Sequence, residues 1–331
     1  MSFNLGETNI IEVNGLTKNF LVEQPSKNWK ETICSYFKPK YRTLEAVKGI
    51  SFSVKKGEKI ALIGPNGAGK STTIKLLTGI FYPTSGYVKT LGKNPFEERK
   101  KLSCKMGVLF GQRSQLWQHL PVYDSFKLLS VIYDIPSIDF KKRLDQLGSI
   151  FQLNRLIHRK VKELSLGERM RCEFVATLLH NPEILFLDEP TIGLDIISKS
   201  AMRELIYERA EEDTLTIFLT SHDIADIEKV CDRIILINQG KIVVDNSVKK
   251  IKREFFHLKH VFVKPIHPFE WKPHRAITLK KHHENTYNFE VDLQQINVQE
   301  AINHIASYSP YSDLVVNDPP LEDIIKDMYQ K

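Results

Sequence analysis

Residues 59–77 constrain the fold more than any other stretch, because a strand, a glycine-rich turn and a helix follow one another directly. The strand is the apolar run KIALI at 59–63, and the helix contributes Ile74, Leu76 and Leu77. Between them, residues 64–72 have the sequence GPNGAGKST, which fits the pattern G-x-x-x-x-G-K-[ST] at every fixed position. An ordinary glycine-rich turn would not need the complete pattern, so this stretch predicts a phosphate-binding loop.

The residue types of this loop suit the binding of a nucleoside triphosphate. Its glycines let backbone N–H groups come close to phosphate oxygens, and the following helix adds the positive end of its dipole. Lys70 can reach the β- and γ-phosphates, and the Ser71 hydroxyl can ligate Mg²⁺. The nucleotide-binding residues predicted on this basis are Gly64, Pro65, Asn66, Gly67, Ala68, Gly69, Lys70, Ser71 and Thr72.

Short apolar runs alternate with helical segments along the first 250 residues, which predicts an α/β fold with a mainly parallel sheet covered on both faces. The run ILFL at 184–187 is followed by Asp188 and Glu189, and the run TIFLT at 216–220 by Ser221 and His222. Such folds bind ligands at the carboxyl ends of their strands. A hairpin is predicted at 234–245, turning at residues 238–240.

Asp188, Glu189 and His222 have the chemistry that hydrolysis of a triphosphate needs. We expect Asp188 to hold Mg²⁺, directly or through water, and Glu189 to act as base or to orient the attacking water. His222 could hydrogen-bond the γ-phosphate. An acidic helix start and a structural histidine are the simpler alternatives for these residues taken singly, but the phosphate loop favours the catalytic roles.

Ser165 and Glu168 form the pattern S-x-x-E at the start of a long apolar helix, which predicts a capping box. A capped helix start also binds anions, so a second role at a phosphate group is compatible with the first.

Composition limits the remaining alternatives. The 331 residues have room for about two domains, and the charge-free runs are too short to cross a bilayer. The N-terminus lacks the pattern of a signal peptide, and the four cysteines are widely scattered, so we expect a cytoplasmic chain with reduced thiols. The net charge of +7 suits nucleotides, nucleic acid or an anionic membrane surface.

Two segments lie outside this pattern. Residues 24–42 have Trp29, Ile33 and Phe37 at helical spacing among lysines, which indicates a basic amphipathic helix, either packed on its own domain or lying on a membrane surface or membrane partner. Residues 257–331 indicate a small α+β domain rich in histidine. A zinc site there is conceivable, but without cysteine or repeated ligand spacing, solvated or packed histidines are favoured.

Six ordered motifs make residues 8–250 resemble the ATP-binding subunit of an ABC transporter. The phosphate loop is the first, and the others in chain order are the Q-loop glutamine Gln112, the signature Ser165, Leu166, Gly167 and Glu168, the Walker B pair Asp188 and Glu189, the D-loop with Asp195, and the switch residue His222. The finer sequence, FGQRSQLW with LSLGERMRCE and DEPTIGLD, is similar to a bacterial exporter branch that works with separate ABC-2-type permeases.

The resemblance implies an ATPase with a P-loop NTPase fold over 8–250, containing an antiparallel β-subdomain and a helical subdomain at about 113–180, with a C-terminal accessory domain at 257–331. It makes Glu189, His222 and Gln112 catalytic, and Ser71, Gln112 and Asp188 ligands of Mg²⁺. It also implies a C₂ homodimer in which each signature faces the ATP held by the other chain. Permease subunits at the cytoplasmic face of the membrane would be the partners, with residues 116–120 as their docking region, and no nucleic acid is expected.

The signature departs from the common family pattern, and the adenine-stacking residue has two candidates. Leu166 and Glu168 replace the glycine and glutamine of the common signature LSGGQ, although Ser165 keeps the hydroxyl and Gly167 the close backbone approach. The aromatic residue that stacks on adenine is Phe20 by its sequence context, with Tyr41 as the alternative.

A non-transport ABC ATPase, acting in translation or DNA maintenance, is the alternative function. Such proteins carry two cassettes or a long coiled coil, and neither is present in this sequence.

Overall fold

The computed structural model describes residues 9–23, 41–111, 113–210, 215–221, 223–254, 257–283, 285–321 and 323–325. The chain divides into two compact units, Met1–Asn246 and Ser247–Lys331. The domain bounds 8–250 and 257–331 remain predictions from the sequence.

Strands and helices alternate along most of the first unit. The strands are β1 (Asn9–Glu23), β2 (Tyr41–Lys55), β3 (Lys59–Ile63), β4 (Ser85–Thr90), β5 (Met106–Phe110), β6 (Ile184–Asp188), β7 (Thr216–Thr220), β8 (Arg233–Asn238) and β9 (Lys241–Ser247). The helices are α1 (Lys70–Leu77), α2 (Arg99–Ser103), α3 (Val122–Ile132), α4 (Ser137–Ile150), α5 (Leu166–Leu178), α6 (Ile196–Ala210) and α7 (Ile224–Val230).

A six-stranded sheet in the order β5-β6-β7-β3-β8-β9 forms the centre of this unit. The pairings from β5 through β8 are parallel, and β6 and β7 are buried along their whole length because both faces of the sheet are covered. The register sets Phe110 beside Asp188 and Asp188 beside Thr220, so the strand ends form one edge. The predicted hairpin joins β8 to β9, with positive φ at Gln239 and Gly240 as a tight turn requires.

A three-stranded antiparallel sheet, in the order β2-β1-β4, shares a hydrophobic core with the central sheet. Phe52 of β2 lies 6.1 Å from Phe218 of β7 between ring centroids. The predicted α/β fold with an antiparallel subdomain is therefore confirmed. The prediction of a helix over 24–42 is wrong at its end: Tyr41 and Arg42 pair with Glu23 and Val22 of β1, because strand pairing extends that far. Residues 24–40 lie outside the described ones.

Helices α3, α4 and α5 fill the stretch between β5 and β6. Helices α3 and α4 each bury one apolar side, whereas α5 is buried all round from Cys172 to Leu178. Phe151 after α4 packs on Phe174 of α5 with ring centroids 5.4 Å apart. The predicted capping box is present at the start of α5: the Ser165 hydroxyl accepts from the Glu168 N–H at 3.3 Å, and the Glu168 carboxylate accepts from the Ser165 N–H at 2.8 Å. The sequence thus specifies where this helix begins.

His180 follows the C-terminal end of α5 and contacts the central sheet. Its Nε2 is 3.0 Å from the Met106 carbonyl oxygen of β5, and its ring stacks on Tyr133 with centroids 4.1 Å apart. Burial lowers the pKa of His180 from 6.5 to about 4, although the Met106 carbonyl opposes the shift. The imidazole is therefore neutral in the folded protein at neutral pH.

We expect this histidine to weaken the fold in acid. Because the unfolded chain takes up the proton at a higher pH than the folded one, stability is full above pH 6.5 and falls as the pH drops to about 4. The shift corresponds to roughly 3 kcal/mol. Urea unfolding of the wild type and of His180→Gln should show the smaller pH dependence in the variant, whereas His158→Gln, at an exposed position, should match the wild type. Equal pH dependence in wild type and His180→Gln would contradict this.

The second unit is an antiparallel sheet with a helix packed on it. Its elements are α8 (Val248–Glu254), β10 (Leu258–Pro265), β11 (Ile277–His283), β12 (Thr286–Asp292), α9 (Val298–Ala306) and β13 (Tyr311–Asn317), with strand order β11-β12-β10-β13. Ala301 and Ile305 of α9 join the core of this sheet. Within the residues described here, no group of three or more His, Cys, Asp or Glu side chains is arranged to hold a metal ion. No described helix is both long and apolar enough to span a lipid bilayer.

Candidate active site

The phosphate loop is held in shape by the backbone packed against it. Gly69 precedes α1 with φ +109°, and a Cβ there would lie 2.5 Å from the Ala46 carbonyl oxygen of β2. A Cβ on Gly64 would lie 2.2 Å from the Ile237 carbonyl oxygen of β8. A side chain fits at neither position, so both glycines are required by the close approach of neighbouring backbone.

Lys70 is buried inside this loop. Its Nζ donates to the carbonyl oxygens of Gly64 at 2.8 Å and Pro65 at 3.3 Å, and it lies 4.0 Å from the Glu189 carboxylate. Burial lowers the pKa of Lys70, while Glu189 and Asp188 oppose that shift. The ammonium group is thus placed between the loop and the Walker B carboxylates.

Asp188, at the end of β6, connects the phosphate loop to the neighbouring strand. Its Oδ1 accepts from the Ser71 hydroxyl at 3.2 Å and from the Thr220 hydroxyl at 2.7 Å. A hydroxyl and a carboxylate side by side are the oxygen donors that Mg²⁺ takes up together with water and phosphate oxygens. Ser71 and Asp188 therefore fit the metal that the sequence predicts.

Glu189 has an unusual backbone for a residue with a side chain, with φ +53°. Its N–H donates to both the carbonyl and the hydroxyl oxygen of Thr220, at 3.0 and 3.1 Å, which holds this conformation. Left-handed residues that the surrounding structure fixes are concentrated at functional sites. The side chain opens onto a cavity of about 180 Å³ beside the phosphate loop. Its lining residues are Ser71, Lys75, Ile80, Phe110, Gly111, Arg113, Asp188 and Glu189.

A second network, which the sequence did not reveal, holds the chain on both sides of position 222. The buried Asp226 carboxylate of α7 accepts from Thr191 at 2.9 Å, from Ser221 at 3.0 Å and from Arg203 Nε at 2.6 Å. Arg203 also donates to Asp223 at 3.1 Å. The segment after Glu189 and the segment around Ser221 are thus fastened to the same carboxylate.

The signature and the D-loop, which are distant in sequence, are adjacent in the fold. A Cβ on Gly167 would lie 2.4 Å from the Ser198 hydroxyl of α6. That serine is bound in turn by Asp195, whose carboxylate accepts from the Ser198 N–H at 2.9 Å and hydroxyl at 2.8 Å. Asp195 therefore caps α6, a role that its position before a helical run could have indicated. Ser165 and Leu166 are exposed at this surface.

Glu168 departs from the common signature, and the structure gives that residue definite partners. Besides completing the capping box, its carboxylate lies 3.2 Å from Nη1 of Arg159. The N–H of Ser165 and the Arg159 guanidinium both favour the charged form and lower the pKa of Glu168. A glutamate at this position thus keeps the start of α5 in place.

The structure describes some of the remaining predicted site residues and not others. Gln112 and His222 lie outside the described residues, and their roles remain predictions. Phe20 and Tyr41, the two candidates for stacking on adenine, lie on the paired antiparallel strands β1 and β2. Phe20 packs edge-on against Phe81 with ring centroids 5.4 Å apart, and Tyr41 is exposed. Both remain candidates. Gln115, the next glutamine in the chain after Gln112, donates through Nε2 to the Val108 carbonyl oxygen at 3.1 Å, which is a structural bond.

Comparison with known proteins shows which family this chain resembles. Residues 47–192 match the family model described as ABC transporter. An uncharacterized ABC transporter ATP-binding protein of Methanocaldococcus jannaschii is 31% identical over 265 residues, covering 79% of this chain and 93% of that protein. A fluoroquinolones export ATP-binding protein of Mycobacterium tuberculosis is 35% identical over 207 residues, covering 62% of this chain and 67% of that protein.

A solved structure shares the fold. A dimeric, post-hydrolysis state of an ATP-binding cassette bound to ADP and Pi is similar, with a TM-score of 0.60 at 24% identity. The likeness covers 72% of this chain and 98% of that one. The fold described above is therefore the fold of an ATP-binding cassette.

Proposed function

The chain belongs to the family of ABC transporter ATP-binding proteins; it is an ATP-hydrolysing subunit of such a transporter, and we propose that it drives export through separate ABC-2-type permease subunits. The observation that carries the proposal is the arrangement of Ser71, Asp188 and Glu189 around one cavity, with the Lys70 ammonium 4.0 Å from the Glu189 carboxylate. Export is supported by the relative that is an export protein, which is 35% identical to this chain. The non-transport alternative has no comparable support.

In the proposed site, the phosphate loop binds the triphosphate and Lys70 exchanges its loop carbonyls for the β- and γ-phosphates. Ser71 and Asp188 would hold Mg²⁺, which would supply positive charge beside the phosphate oxygens. The Glu189 carboxylate, on its constrained backbone, orients and deprotonates the attacking water. Gln112 and His222 complete the site, as an additional Mg²⁺ ligand and as a donor to the γ-phosphate. Phe20, or Tyr41 in its place, stacks on the adenine.

We propose further that two copies of the chain enclose the nucleotide. The exposed start of α5 presents backbone N–H groups and the positive end of the helix, which suit a phosphate group that the chain does not itself bind. A C₂ homodimer uses this surface twice, each signature completing the other chain's site. Loss of the γ-phosphate on hydrolysis removes the group that joins the halves, and the dimer opens.

The proposed contact with the permease is the loop before α3. In the predicted docking region 116–120, Leu116 is buried, whereas Trp117, Gln118 and His119 are exposed. An exposed tryptophan beside polar residues is typical of a binding surface. This contact would hold the protein at the cytoplasmic face of the membrane.

Copurification from detergent-solubilised membranes tests this assignment. We expect the tagged chain to retain a multispanning membrane protein, and Trp117→Glu to lose it because a charge replaces the aromatic surface. Tyr82→Glu, which changes another exposed aromatic residue, should retain it. Retention of ribosomes or DNA-repair proteins in place of a membrane protein would favour the alternative function.

A further inference from the structure

Glu173 of α5 is a buried carboxylate that the predicted catalytic groups do not include. Its side chain is 1% exposed, in the middle of a helix whose neighbouring residues 172 and 174–178 are all buried. A buried charge is costly unless hydrogen bonds satisfy it, so its partners indicate what it is retained for. Among the described residues, its hydrogen-bond partners lie in one short segment of another part of the chain.

That segment follows β5 and forms part of the cavity wall. The Ser114 hydroxyl donates to one carboxylate oxygen of Glu173, and the Gln115 N–H donates to the other at 2.9 Å. Burial raises the pKa of Glu173, and these hydrogen bonds oppose that shift. The Leu116 N–H donates to the Ser114 hydroxyl at 3.2 Å. At the start of the segment, the Arg113 N–H donates to the Phe110 carbonyl oxygen at 3.0 Å. Residues 113–116 are thus fixed to β5 at one end and to α5 at the other.

Residues 113–116 join two elements that are part of the proposed nucleotide sites, the cavity wall and helix α5. Phe110, Gly111 and Arg113 line the cavity beside Asp188 and Glu189. Helix α5 begins with the signature, and Glu173 lies eight residues after Ser165, roughly 12 Å along the helix axis. A shift of the cavity wall relative to α5 would therefore change the site in its own chain and the signature offered to the partner.

We propose that Glu173 is a positioning residue for ATP hydrolysis, whose carboxylate fixes residues 113–116 against the helix that carries the signature. The inference rests on the proposed function of the cavity. It assigns the residue no contact with ATP. Glu173 acts through the Gln115 N–H and the Ser114 hydroxyl, so the loss of these hydrogen bonds should impair turnover without impairing nucleotide binding.

Glu173→Gln is the direct test, because glutamine keeps the size of the side chain but presents only one acceptor oxygen. We expect kcat to fall about 10- to 100-fold, since small displacements of a reacting assembly have effects of this size. The Kd for ATP should stay within about two-fold of wild type, because the phosphate loop is untouched. Hydrogen–deuterium exchange should rise in a peptide covering residues 113–121 and stay unchanged in one covering 59–77.

Ser114→Ala removes the hydroxyl that donates to Glu173 and leaves the buried carboxylate intact. This variant tests the same inference if Glu173→Gln does not fold. It should give a smaller fall in kcat in the same direction, again with unchanged Kd. Glu183→Gln, which changes a partly exposed glutamate just before β6, is the matched control and should behave as wild type.

The outcomes separate the inference from the function on which it depends. Wild type that hydrolyses ATP and is inactivated by Glu189→Gln, while Glu173→Gln and Ser114→Ala retain wild-type kcat, would overturn the positioning role alone. An equal loss of kcat and of ATP affinity would also overturn it, because that result indicates a general structural defect. Wild type without ATPase activity would instead contradict the proposed function.

Discussion

Glu189→Gln is expected to bind ATP normally, to hydrolyse it about 10²- to 10⁴-fold more slowly, and to accumulate as an ATP-bound dimer. The amide keeps the size of the side chain and the left-handed backbone, but it cannot take a proton from the attacking water. Because the γ-phosphate then persists, the two copies that it joins have no event that separates them.

Size-exclusion chromatography with ATP, together with release of phosphate, measures both effects. Glu183→Gln serves as the control, because it changes a partly exposed carboxylate that is bound to Lys105 and lies just before the same strand, at the end away from Glu189. A Glu189→Gln protein that hydrolyses ATP at the wild-type rate would show that another group activates the water. One that stays monomeric in ATP would contradict the proposed dimer.

Lys70→Ala is expected to bind ATP roughly 10- to 150-fold more weakly, because charge-assisted hydrogen bonds to the phosphates are lost. The loop carbonyls of Gly64 and Pro65, which the ammonium occupies in this structure, would also lose their donor. Folding should be affected less than binding, since the glycines that shape the loop are unchanged.

Titration with a fluorescent ATP analogue gives the affinity, and thermal unfolding without nucleotide checks the fold. Lys89→Ala removes an exposed lysine from β4 and should leave both measurements at the wild-type value. An unchanged affinity in Lys70→Ala would mean that the nucleotide binds elsewhere on the chain.

The sequence predicted those features that follow from short local patterns. The phosphate loop, the buried strands 184–187 and 216–220, the 238–240 turn and the Ser165–Glu168 capping box each depend on residues close together in the chain. Local hydrogen bonds and hydrophobic periodicity specify such elements, so they could be recognised before the structure was known.

Contacts between distant residues could not be predicted in the same way. Thr220 binds Asp188 because the register of two parallel strands makes them neighbours. Asp226 gathers Thr191, Ser221 and Arg203 through the packing of α6 and α7, which no local pattern specifies. Glu173 did give a signal, a single charge in an otherwise apolar helical stretch, but its partners depend on how the loop after β5 folds back.

The central claim is that two copies of the chain complete each other's nucleotide site, and turnover by isolated copies tests it most directly. The chain would be coupled through a terminal tag to a support, at a density too low for two copies to meet, and phosphate release would be measured per chain. The account predicts that turnover is almost absent and returns when free Lys70→Ala protein, which retains the signature, is added. Turnover by the isolated copies at the rate of the free protein would contradict it.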